Sequence, residues 1–178
     1  MPERLVIAAD PGKAGALVWG TSKERYHWTK YPEKLEGLKR LFLHVHEEFP
    51  PYAYPKRLAF LERNTGYMAG MKTSTKRKGE EEEEEGAVSA KSMFSFGRVT
   101  GHLECAFVFE GFEVREVAPL KWMTAAMIVT GQKSLIGERA WKNHLKEKAQ
   151  ERFPSEQVTL ANADALLIFH AAVTGRLR

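Results

Sequence analysis

Apolar positions divide the chain into short blocks whose spacing changes along its length. Leu5 to Ala9 is a nearly continuous apolar run, which predicts a buried strand ending at Asp10. Pro11-Gly12 is a turn signal, Ala14 to Trp19 reads as a second strand, and Gly20 to Lys23 turns again. Tyr26, Trp28 and Lys30 alternate weakly and predict a third strand, so the chain opens with an antiparallel meander. From Leu35 the period becomes helical. Leu38, Leu41, Phe42 and Val45 share one face of a helix running to about Glu48, and Phe49-Pro50-Pro51 stops it. Leu58 to Leu61 is a short strand ending at Glu62, and a strand reached through a helix is expected to lie parallel to the first.

Residues from about 63 to 90 are rich in lysine and glutamate with little to bury, and a mobile loop is expected at about 66–90. Lys91 to Phe109 has helical spacing, with Gly97 and Gly101 on one face where another element could approach closely. Glu113 to Val117 reads as a strand, Trp122 to Val129 and Leu135 to Gln150 as helices. Asn162 is expected to cap a last helix through Ala172. The order predicts one α/β domain: a five-stranded mixed sheet, three strands antiparallel and two parallel, flanked by helices.

Composition narrows the partners. Of 23 acidic residues, six form the unbroken run Glu80 to Glu85. Without it the balance would be 27 − 17 = +10 rather than +4, which suits a polyanion such as nucleic acid. Cys105 is the only cysteine, so neither an internal disulfide nor a thiolate zinc cluster fits, and a reducing, cytoplasmic setting is expected. No apolar run approaches the roughly 18 residues of a membrane span, and the N-terminus lacks the long apolar region of a secretory signal. Only two of the acids are aspartates, Asp10 and Asp164, which directs attention to both.

Three acids stand at element junctions. Asp10 ends the first strand, Glu62 ends the fourth, and Asp164 lies in the first turn of the last helix. Parallel neighbouring strands would bring Asp10 and Glu62 to one sheet edge, where α/β folds place their sites. The last helix could deliver Asp164 there. Three clustered carboxylates repel, by about 4 kcal/mol per pair at 4 Å and an effective dielectric of 20, and a divalent cation reverses that sign. Carboxylate oxygens select Mg²⁺ or Mn²⁺, and two such ions suit phosphodiester hydrolysis. Each acid also has a structural reading, as a turn residue, a strand end or a helix-dipole partner. Lys13, Arg63, Lys91 and Arg98 are candidate phosphate contacts around the acids.

Five segments in order resemble the motifs of RuvC-type Holliday junction resolvases and span nearly the whole chain. They are Leu5 to Ala16 with its Asp10-Pro11-Gly12, Leu58 to Glu62, Phe96 to Gly101, Val117 to Trp122 with Gln132-Lys133-Ser134, and Ala163 to Ile168. The resemblance implies a ribonuclease H-like fold, a homodimer, and paired Mg²⁺-dependent nicks in a four-way DNA junction, with no small-molecule substrate and no membrane. Mn²⁺ is expected to substitute for Mg²⁺, with two ions at each site. It carries Asp10, Glu62 and Asp164 over as metal-binding catalytic acids. Lys121 and Lys133 are carried over as basic residues near the cleaved strand, Lys133 to stabilise charge developing on the phosphate. Tyr67, with Met68, falls where the family places residues that pry the junction open.

One departure is Ala161, where the family usually has a second acid or a histidine three residues before the last aspartate. Other readings stay open: another ribonuclease H-like nuclease cutting hybrids or flaps, a nucleic-acid binder without metal chemistry, and an actin-like ATP-binding module. The last lacks evident phosphate-binding glycine motifs.

Overall fold

A computed structural model describes residues 4–12, 15–32, 34–63 and 90–177, with side chains described throughout these ranges except at 90–93 and 132–134. The loop expected at about 66–90 lies almost wholly outside the described residues. Five strands form one sheet: β1 (Leu5–Ala9), β2 (Ala16–Gly20), β3 (Tyr26–Lys30), β4 (Arg57–Glu62) and β5 (Glu113–Val117). Their order is β3-β2-β1-β4-β5. The meander β1–β2–β3 is antiparallel, and β4 lies parallel to both β1 and β5. The crossover from β3 to β4 is α1 (Leu35–Glu48), and that from β4 to β5 includes α2 (Ala90–Phe109). Beyond β5 come α3 (Pro119–Ala125), a 3₁₀ turn (Thr130–Gln132), α4 (Lys133–Ile136), α5 (Glu138–Arg152) and α6 (Ala163–Val173).

The two-residue period of the strands sorts their side chains into two cores. On one face Val6, Ala8, Val18, Leu58 and Phe60 meet the helices that follow β5. On the other Leu5, Ile7, Leu17, Ala59 and Leu61 meet α1 and α2 through Leu38, Phe42, Leu103 and Phe107. With both faces covered, β1 is buried at every position, which is why it reads as an unbroken apolar run. Helix α6 is buried nearly all round. Leu166, Leu167, Ile168 and Phe169 are fully enclosed, each contributing about 1.5–3 kcal/mol of apolar burial. That anchorage sets the position of Asp164, the one charged residue of the helix.

Three expectations are corrected. The helix expected over Trp122 to Val129 starts earlier, with Pro119 in its first turn, and ends at Ala125. Met127 adopts φ 57° and the Ile128 amide turns back to the Met123 carbonyl, so the helix cannot continue. The helix expected over Leu135 to Gln150 is split at Gly137, whose φ of 78° breaks α4 from α5. Gly97 and Gly101 are approached by nothing: a Cβ at either would meet no described atom within 4 Å. No described residue covers that side of α2, and Phe94, Val108 and Phe109 on the same helix are exposed. Finally, Asn162 occupies the N-cap position of α6 without capping it. Its Oδ1 accepts from the Thr159 amide at 2.7 Å and its Nδ2 donates to the Gln157 carbonyl at 3.3 Å, so the side chain ties down the preceding loop.

His170, on α6, gives the fold an acid limit. Burial, with Arg152, Lys23 and Arg176 nearby, pushes its imidazole down to about 4 from the usual 6.5. Its Nδ1 has no partner among the described residues. Between those two values the unfolded chain binds a proton that the folded chain refuses, so stability is complete above about pH 6.5 and falls as pH drops towards 4. Allowing for screening, the loss is on the order of 1–2 kcal/mol. Thermal melts of His170→Leu should be correspondingly flatter between pH 6.5 and 4 than those of the parent; parallel pH profiles would remove His170 as the cause.

Candidate metal centre

Register brings the first two acids together. Ala9 at the end of β1 pairs with Leu61 of β4, so Asp10 and Glu62 emerge side by side at the carboxyl edge of two parallel strands. Asp10 is fixed by its own turn. Its amide donates to the Ala16 carbonyl at 3.0 Å, and its Oδ1 accepts from the Gly12 amide at 3.1 Å. Gly15 completes the hairpin by donating to the Gly12 carbonyl at 2.8 Å. A Cβ on Gly15 would fall 2.0 Å from the Asp10 carbonyl oxygen, so only glycine fits there. Glu62 ends β4, and Arg63 continues the ladder through its amide to the Val117 carbonyl at 2.8 Å. Asp164 arrives on the first turn of α6, which packs directly on β1, β2 and β4.

Asp10, Glu62 and Asp164 each offer one carboxylate oxygen, and these three oxygens lie within 4.8 Å of one another. All three residues are half-buried. Burial raises the Asp10 pKa above the ordinary carboxylate value, opposed by the Gly12 hydrogen bond and by the charge of Lys142 on α5. A carboxylate whose charge is held against desolvation is one that a cation stabilises. An all-oxygen donor set fits a hard divalent ion such as Mg²⁺ or Mn²⁺. Ala161 brings no donor, and the amide of buried Asn162 is engaged in its own loop, so neither adds a fourth ligand.

Two contributors were missed by sequence reasoning. Trp122, fully buried on α3, donates from its indole Nε1 to Glu62 Oε1 at 2.9 Å. Such an outer contact would orient Glu62 for binding a metal. Its signal was its place directly after Lys121, but nothing in the spacing links it to Glu62. Lys142 carried no signal at all. With Glu138, Arg139 and Leu160 it lines a shallow hollow of about 300 Å³. Trp122→Phe keeps the ring and deletes the donor. It should weaken Mn²⁺ binding at this centre about tenfold, measured by titration; undiminished affinity would reduce the contact to packing.

The expected basic residues fall into three groups. Arg63 is exposed next to Glu62, with Glu116 3.7 Å away. Lys121 is exposed on α3, which leaves the same sheet edge after β5. Arg98, exposed on α2, acts electrostatically on Tyr31, whose amide donates to the Gly15 carbonyl at 3.0 Å. Lys91 and Lys133 lie in the opening turns of α2 and α4, and their side chains are not described. Lys13, Tyr67 and Met68 lie outside the described residues.

No protein-family model matches the sequence, and no curated protein matches it. Solved structures do. A Thermus thermophilus RuvC structure in complex with a Holliday junction substrate superposes with a TM-score of 0.53 at 14% identity, covering 97% of this chain and 95% of that one. A second Thermus thermophilus RuvC structure gives a TM-score of 0.51 at 15% identity over the same shares. The chain thus has the mixed-sheet, ribonuclease H-like fold of RuvC. Among the described residues no helix is long and apolar enough to cross a membrane.

Proposed function

We propose that this protein is a divalent-metal-dependent endonuclease that resolves four-way DNA junctions. The observation that carries the proposal is the convergence of Asp10, Glu62 and Asp164, remote in sequence, to within 4.8 Å at a basic sheet edge. The RuvC fold supports the choice of substrate, because one of the matched structures holds a Holliday junction. Asp10, Glu62 and Asp164 would hold Mg²⁺, or Mn²⁺ in its place, as two ions in each centre. When bound, the ions would activate water and stabilise the leaving oxygen of a phosphodiester, giving 5′-phosphate and 3′-hydroxyl ends.

The protein's own residues position the DNA. Arg63, Arg98 and Lys121, joined by Arg139 and Lys142 from the hollow on α5, would contact backbone phosphates around the acids. Lys13 and Lys91 would extend that surface. Lys133 would stabilise charge developing on the scissile phosphate. Tyr67, with Met68, would unstack bases at the branch. Phosphate contacts carry little sequence information, so selectivity would come from the shape of the junction.

Paired nicks need two centres. The exposed Phe94, Val108 and Phe109 of α2, with the open glycine face between them, support a homodimer. The reading places the enzyme in the cytoplasm. A second reading, a junction binder without chemistry, is favoured by Ala161 and by the engaged amide of Asn162, which leave the centre without the additional ligand.

The test is cleavage of an end-labelled four-way junction in Mg²⁺, beside a linear duplex and an RNA–DNA hybrid. Symmetric nicks in the junction alone are expected. Hybrid cleavage without junction cleavage would assign a different nuclease, and tight junction binding with no cutting in Mg²⁺ or Mn²⁺ would assign the inert binder.

A further inference from the structure

A second constellation of ligating groups lies away from the carboxylate centre, where the edge strand β3 meets the last turns of α1. His44 and Glu48 are four residues apart on α1 and so share a face. His27 of β3 reaches the same spot. His27 Nε2 lies 2.5 Å from Glu48 Oε2, and His44 Nε2 lies 3.5 Å from Glu48 Oε1. One ligating atom from each of the three falls within 4.8 Å of the others. We propose that His27, His44 and Glu48 bind a borderline divalent ion of the Zn²⁺ type, distinct from the hard ion of the carboxylate centre.

The donor chemistry separates the two sites. Two imidazoles and one carboxylate suit Zn²⁺, Cu²⁺ or Ni²⁺, whereas Mg²⁺ prefers oxygen throughout. Tetrahedral ligands about 2.0–2.1 Å from zinc stand roughly 3.4 Å from one another. The His44–Glu48 separation already matches. The His27–Glu48 pair, now in direct contact, must open by less than about 1 Å, and both imidazoles are about half exposed and can move.

Pre-organisation is the stronger argument. The indole of Trp19, buried at 3% exposure, stacks on His27 with centroids 5.8 Å apart and meets the edge of His44 at 6.2 Å. One rigid aromatic wall therefore holds both rings. Glu47 Oε2 stands 4.0 Å from His44 Nδ1, near enough to close into an outer hydrogen bond when the ring turns onto an ion. The neighbouring cation Arg25 is occupied elsewhere. Its guanidinium lies over the Phe49 ring at 4.8 Å and donates to Tyr54 Oη at 2.9 Å, with a long contact to the Glu48 carbonyl at 3.5 Å. With three protein ligands on an exposed surface, the fourth position is left to water. An ion here would bolt the edge strand to α1, covering a strand edge that otherwise relies on side-chain contacts.

The experiment uses the untagged chain in millimolar Mg²⁺, which competes for the carboxylate centre, titrated with Zn²⁺ against a chromophoric chelator. One equivalent should bind, and Zn²⁺ should raise the melting temperature. His44→Gln should lose affinity on the order of 100-fold or more, Glu47→Gln roughly tenfold, both with junction cleavage unchanged. Cu²⁺ in place of Zn²⁺ should give an electron paramagnetic resonance spectrum with coupling to two imidazole nitrogens. Absence of saturable Zn²⁺ binding would overturn the proposal. So would Zn²⁺ uptake that persists in the His27→Gln/His44→Gln double variant, or a Cu²⁺ spectrum without nitrogen coupling. The spectrum is read on the unaltered protein and stands even if the double variant misfolds.

Discussion

Asp164→Asn should reduce cleavage of a four-way junction on the order of 10³-fold or more, equivalent to about 4 kcal/mol of transition-state stabilisation. Junction affinity should stay within a few-fold, because the phosphate contacts proposed for Arg63, Arg98 and Lys121 would survive. Asp10→Asn should lose activity to the same extent and make a further point. The Asp10 carboxyl is raised in pKa by burial, so at neutral pH the folded chain carries a charge that the unfolded chain carries more easily. The sign follows: a raised carboxyl binds more protons folded than unfolded, and stability falls as pH rises through that window. Removing the charge should therefore raise the melting temperature without metal, while the Asn side-chain oxygen still accepts from Gly12. Differential scanning calorimetry with and without Mg²⁺ checks both halves. Cutting by either variant at the parental rate would remove the acids from the chemistry.

Gly15→Ala is expected to be as damaging to activity as many active-site substitutions, although Gly15 touches no substrate. The added methyl would fall 2.0 Å from the Asp10 carbonyl oxygen and 2.9 Å from the Gly12 amide nitrogen, both backbone atoms with no freedom to swing aside. The hairpin must open, and Asp10 moves with it. A displacement of about 1 Å is enough for a rate loss on the order of 10²-fold, alongside a destabilisation of about 1–3 kcal/mol. Gly97→Ala is the matched control. Among the described residues nothing lies within 4 Å of its Cβ, and alanine is the better helix former by about 1 kcal/mol, so the isolated fold should be as stable or more so. Equal thermal melts of the two variants would contradict the close approach at Gly15.

The contrast between those glycines shows what the sequence made legible. The strand β1, the helix α1 and the meander announced themselves because period and turn chemistry are local. The pairing of β4 with β1 was legible through the rule that a strand returning from a helix lies parallel, and from that pairing Asp10 and Glu62 came together. What stayed hidden depends on packing between distant segments. The indole of Trp122 reaches a glutamate sixty residues earlier in the chain. The break at Met127 is a left-handed residue that is not glycine, and no composition rule flags it. Asn162 sits where a cap should be, yet two loop partners compete for its amide.

The jacketing of α6 has a kinetic corollary. A helix enclosed on nearly every side exchanges its amide protons only when the domain opens as a whole. Asp164 rides on that helix, so its backbone is held where the sheet and the helices place it. Under the proposed function the centre would be a stationary blade, and the wait between encounter and scission would be set by bending of the DNA strand towards it.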